Sequence, residues 1–108
     1  MTLQIDAGLF EILELNRTAV AASYTTVMTD VIVGVTSTSS AWTITLETDT
    51  VTAGRIVIIK DESGAAGTNN ITIATEASET IDGAATLVIS TNYGSATLYS
   101  DGTDWFVI

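Results

Sequence analysis

A chain of 108 residues suffices for one domain and is too short for two, so a single core must do all the burying. Thirteen acidic residues against three basic ones give a net charge of −10, which repels a phosphate backbone and makes nucleic acid a poor partner. With no Cys and no His the chain lacks disulfides, thiolate metal sites, the commonest general base and the commonest metal ligand, so neither an enzyme nor a cofactor site is expected.

The first 16 residues carry Ile5, Leu9, Phe10, Ile12, Leu13 and Leu15. Ile5, Leu9, Ile12 and Leu13 fall near helical spacing, but residues 9–15 fit an edge strand equally well. So much apolar surface near a terminus is expected to dock, either on its own core or on another protein. Residues 1–17 therefore form a candidate docking segment, with Leu9, Phe10, Ile12 and Leu13 as its contacts, ahead of a module over 18–108. No apolar run approaches the roughly 20 residues of a membrane span, and the start at Met1 lacks the layout of a secretory signal, so a soluble chain without membrane insertion is expected.

Beyond this lead, short apolar segments rich in Ile, Val and Thr alternate with turn-formers, the pattern of an all-β domain. Strands are expected at 24–27, 31–35, 42–46, 55–60, 70–75, 86–90, 95–100 and 104–108, in an antiparallel β-sandwich or barrel-like arrangement. The breaks fall at 37–40, 61–69, Asp82-Gly83, 92–94 and Asp101-Gly102, where Gly, Asn and Asp adopt positive φ cheaply. Asp101-Gly102 between two apolar runs is the strongest hairpin signal. The 61–69 stretch is expected to be a solvated hairpin loop, and Trp105 to be buried with its indole N–H satisfied.

Trp42-Thr43-Ile44-Thr45-Leu46 alternates as a strand with one wet face. Residues 55–60 do not: Ile56 and Ile58 share one face, Val57 and Ile59 the other. Segments 31–35 and 105–108 are also apolar on both faces. A small domain has one interior, so a neighbouring subunit is the economical cover, the alternative being a tightly curled barrel with tolerated surface Val and Ile.

A longer ordered pattern is present in Gly54-Arg55, Ile59-Lys60-Asp61-Glu62-Ser63-Gly64-Ala65-Ala66, Asn69-Asn70-Ile71-Thr72-Ile73, Thr80-Ile81-Asp82-Gly83-Ala84-Ala85, Asn92-Tyr93-Gly94-Ser95 and Ser100-Asp101-Gly102-Thr103-Asp104-Trp105. With Tyr24-Thr25-Thr26-Val27 and Asp30-Val31-Ile32-Val33 upstream, it resembles a β-rich module of tail fibres, head fibres, spikes and other surface proteins of bacteriophages and prokaryotic viruses, over about residues 18 to 108. Relatives often place a Pro where this chain has Glu47-Thr48-Asp49-Thr50. The resemblance implies a structural protein at the virion surface, a short spike, fibre tip or capsid decoration. It also implies a homotrimer whose partners are its own copies, other virion proteins and a host receptor or glycan.

The carboxylate pairs Asp61-Glu62, Glu76/Glu79 and Asp101/Asp104 fall in turn-like stretches, where a near-normal pKa makes a poor general acid and solvated charge is the expected role. Asp101-Gly102-Thr103-Asp104 lacks the spacing of a twelve-residue Ca²⁺ loop, and no phosphate-binding glycine loop is present. Trp42, Tyr93, Tyr99 and Trp105 could supply stacking faces, so a carbohydrate-binding module is the alternative function, with Trp42, Tyr93 and Tyr99 as the candidate receptor or glycan contacts.

Overall fold

The computed structural model describes residues 14–108. Among these, nine strands form: β1 (Arg17–Val20), β2 (Tyr24–Thr25), β3 (Ile32–Val35), β4 (Trp42–Leu46), β5 (Ile56–Asp61), β6 (Ile71–Thr75), β7 (Thr86–Ile89), β8 (Ser95–Ser100) and β9 (Trp105–Val107). A single 3-10 turn at Thr48–Thr50 interrupts them. Eight of the nine fall within or next to the segments read from the sequence. The strand at Arg17–Val20 was not anticipated, because its four residues hold one large apolar side chain, Val20, and show no period.

The strands make two sheets, one in the order β1-β3-β5-β8-β9 and one in the order β2-β4-β6-β7. From β1 to β6 the chain alternates between them, and each return lays a strand parallel to the one two before it. Arg17 thus lies beside Ile32, Ile32 beside Ile58, and Trp42 beside Ile71. The last third reverses this direction, with β7 antiparallel to β6, β8 to β5 and β9 to β8.

The antiparallel expectation is corrected accordingly: four of the seven strand pairs are parallel, and both sheets are open rather than closed into a barrel. Parallel neighbours need a crossover between them, and here the crossover is a strand of the other sheet. Apolar-and-Thr alternation reports which face is wet but not strand direction, so β4 and β6 read as antiparallel while pairing in parallel.

One core fills the space between the sheets. Val33, Val35, Val57, Ile59 and Leu98 enter it from the five-stranded sheet, and Ile44, Leu46, Ile71, Ile73 and Ile89 from the other. Burying each such side chain stabilises by about 1.5–3 kcal/mol relative to leaving it in water. Trp105 is fully buried as expected, but its Nε1 has no hydrogen-bond partner among the described residues. Ile81 is also in the core, beside a turn in which Asp82 (φ 49°) and Gly83 (φ 83°) take positive angles. The Asp82 carboxylate accepts from Val107 N–H at 3.2 Å.

Candidate binding surfaces

Two surfaces stand out, a loop cluster at one end of the sheets and the outer face of the five-stranded sheet.

The loop cluster is built on Asp61. In a strand, residues two apart share a face. Val57, Ile59 and Asp61 therefore all point inward, and Asp61 is fully buried at the end of β5. Its Oδ1 accepts the backbone N–H of Ser63 (3.0 Å) and Gly64 (2.8 Å), and its Oδ2 those of Ala66 (3.0 Å) and Tyr93 (3.0 Å). Burial pushes this carboxyl's pKa up, but the four N–H donors outweigh it and hold the group below the ordinary carboxylate range.

Residues 62–69 are consequently an ordered crossover from β5 to β6 in the opposite sheet, and not the solvated hairpin loop expected. The exposed, solvated role expected of Asp61 is corrected as well. Two signals in the sequence pointed there, its parity with Val57 and Ile59 and the Ser63-Gly64 that follows, which invites capping of the turn by the Asp side chain. Thr38, on the β3–β4 connection, ties in by accepting from Ala65 N–H at 3.1 Å through its hydroxyl and from Asn69 Nδ2 at 2.7 Å through its carbonyl.

Above this frame stands Tyr93, 59% exposed. Its amide is fixed by Asp61, its carbonyl accepts from the Lys60 ammonium, and its ring lies over Gly64, where a Cβ would overlap it. Beside the cluster, Glu62 crosses Gly34 to pair with Arg17 on the edge strand β1. The Arg17 hydrogen bond is the main reason the Glu62 carboxyl is held low.

Asp30, Asp101 and Asp104 likewise serve as acceptors. Asp30 is buried, which raises its pKa, but bonds from the Thr18 hydroxyl, the Tyr24 phenol and Val27 N–H, with the nearby Arg55 charge, bring it below the ordinary value. The same contact pushes the Tyr24 phenol up to about 12. Arg55, also buried, joins this network by donating to the carbonyls of Asp30, Ile56 and Val27, while its Nε has no partner among the described residues. Asp101 Oδ1 accepts from Thr103 and Asp104 N–H in the β8–β9 hairpin, and Asp104 Oδ1 accepts from Thr80 N–H. Among the described residues, no group of three or more carboxylates converges to hold a metal ion.

The second surface is apolar. On the outer face of the five-stranded sheet Ile32 lies beside Ile58, and Ile56 beside Tyr99, which in turn lies beside Phe106. The Tyr99 and Phe106 rings are 5.5 Å apart between centroids, with an interplanar angle of 31°. Ile56 remains 43% exposed. Among the described residues, Leu15, Met28, Val31, Ala53 and Ile56 line a groove of 1040 Å³ that continues this apolar surface. The four-stranded sheet differs, since Thr25, Thr43, Thr45 and Thr72 hold the positions between its buried residues.

The three expected contact aromatics are not brought together. Trp42 and Tyr93 lie at the loop-cluster end, and Tyr99 at the far end of β8. Trp42 is half-buried against the core and donates its Nε1–H to Ser37 O at 2.8 Å. Leu9, Phe10, Ile12 and Leu13 lie outside the described residues. Compared with known proteins, the chain matches no family model and no curated protein.

Proposed function

We propose that the chain is a structural protein of a virus particle, a homotrimeric spike, fibre tip or capsid decoration at the virion surface. The observation that carries this reading is the apolar outer face of Ile32, Ile56, Ile58, Tyr99 and Phe106 on a chain of net charge −10. Copies so acidic repel one another at long range, and an apolar patch bordered by Lys60 and by the Arg17–Glu62 pair is where they can meet. The ordered motifs between Gly54 and Trp105 support the viral assignment and the three-fold assembly.

The role asks for no catalysis. Every described carboxylate with a shifted pKa (Asp30, Asp61, Glu62 and Asp101) is held low, which suits an acceptor that pins loops and not a group that must release and recapture a proton near neutrality. Its mechanism is presentation, with several copies on one particle raising avidity without a tight individual site.

Light scattering of the purified chain tests the assembly. A trimer has three times the 11.3 kDa chain mass, and a monomer at micromolar concentration would overturn the reading. Antibody raised against the chain should label intact virus particles, and its failure to do so while labelling host cells would overturn the virion assignment.

A further inference from the structure

Tyr93 is the second of only two non-glycine residues with positive φ among those described, at 59°. The first, Asp82, belongs to a type that tolerates this region. An aromatic residue has no such tolerance, and a turn closed by Gly94 N–H to Thr91 O would be met more easily by Gly or Asn at this position. Tyr is nevertheless held there by the Asp61 carboxylate on its amide and the Lys60 ammonium on its carbonyl. Packing over Gly64 accounts for one face of the ring; the side chain as a whole remains 59% exposed. Backbone strain fixed in place by a buried group, with an exposed aromatic as its product, is the arrangement of a pre-organised contact residue.

We propose that Tyr93 is a stacking platform for a neutral pyranose ring of a glycan. A pyranose presents an apolar C–H face to an aromatic ring and hydroxyls to planar amides at its rim, and the neighbouring groups fit that pattern. Asn92 is next in the chain, and its Oδ1 is fixed by Gly67 N–H at 2.9 Å, which leaves its Nδ2 amino group as a donor for a sugar hydroxyl. Ser63, exposed on the adjoining loop, adds a hydroxyl. Anionic ligands are disfavoured, because Arg17 is engaged by Glu62 and Lys60 by the Tyr93 carbonyl, and the chain as a whole is acidic. Organic cations are disfavoured by the Lys60 ammonium at the same residue. The site is contained within one chain and does not depend on the assembly proposed above.

Saturation-transfer NMR on the full chain, with the methyl glycosides of galactose, glucose, mannose and N-acetylglucosamine and with choline as a cationic control, tests the inference. At least one glycoside should receive saturation from the Tyr93 ring. Tyr93→Asn, which tolerates the backbone angle, should weaken its binding by about tenfold or more, about 1.4 kcal/mol. The melting temperature should be retained, and Tyr93→Gly should behave alike if the Asn variant folds poorly. Binding of no glycoside, equal binding by the variants, or a response to choline alone would overturn the proposal. Light scattering on the same samples reports assembly separately, so failure of this site is distinguishable from failure of the trimer.

Discussion

The Asp61 carboxylate accepts the backbone N–H of Tyr93 at 3.0 Å across 32 residues of chain, and the same side chain caps three further N–H groups of the 62–69 crossover. One buried group thus sets the geometry of two connections. Replacing Asp61 with Ala strands four donors, and the expected loss is about 3 kcal/mol or more. Asp61→Asn retains one acceptor oxygen and should lose about half as much. Urea unfolding at neutral pH measures both; wild-type stability in the Ala variant would mean that the loops hold themselves.

Acid should unfold the protein through Asp61 and Asp30. Both are held below the ordinary value in the folded chain, against about 3.9 when unfolded, so their stabilisation is complete above that range. It is lost as pH falls through the lowered folded values, where the proteins' donors lose their ionised acceptor. Melting temperature should therefore drop steeply below about pH 4, and the drop should be shallower in Asp61→Asn. Equal acid sensitivity in that variant would exclude Asp61 as a cause.

Alkali acts in the opposite sense on Tyr24. Its phenol is raised to about 12 by the bond to Asp30, so the stabilisation is complete below the unfolded value of about 10 and is lost as pH rises through about 12. In a spectrophotometric titration, one of the three tyrosines should ionise last, and Tyr24→Phe should remove that late step. A late step that survives the substitution would belong to another residue.

Ile58 lies on the outer face of β5, between Ile32 and Thr97, so a charge there strikes the proposed interface and not the core. Ile58→Asp should shift the light-scattering mass from trimer to monomer while changing the stability of the monomer fold by only about 1 kcal/mol. Thr43→Asp, on the outer face of the other sheet, should leave the assembly intact. Dissociation by both variants alike would point to general charge repulsion in place of a specific face.

Val57→Asp is the complementary case. Val57 is fully buried on the inner face of the same strand, and an unpaired carboxylate there should cost several kcal/mol and abolish cooperative unfolding. A cooperative melt near that of the wild type would place Val57 outside the core.

The β character, the positions of eight strands and the Asp101-Gly102 hairpin were legible in the sequence because each rests on local chemistry: β-branched residues at period two, and turn residues that reach positive φ. The two apolar faces of β5 were legible for the same reason, since parity alone separates Ile56 and Ile58 from Val57 and Ile59. Strand direction was not, because a pattern of buried and wet positions is identical for parallel and antiparallel neighbours. The partners of β1, β3 and β5 are set by crossovers through the second sheet, over separations no local signal spans. Only the tertiary structure shows that Asp61 also holds the Tyr93 amide, and that Trp42, Tyr93 and Tyr99 are spread over two ends of the molecule, because those relations arise when distant segments close on a common core.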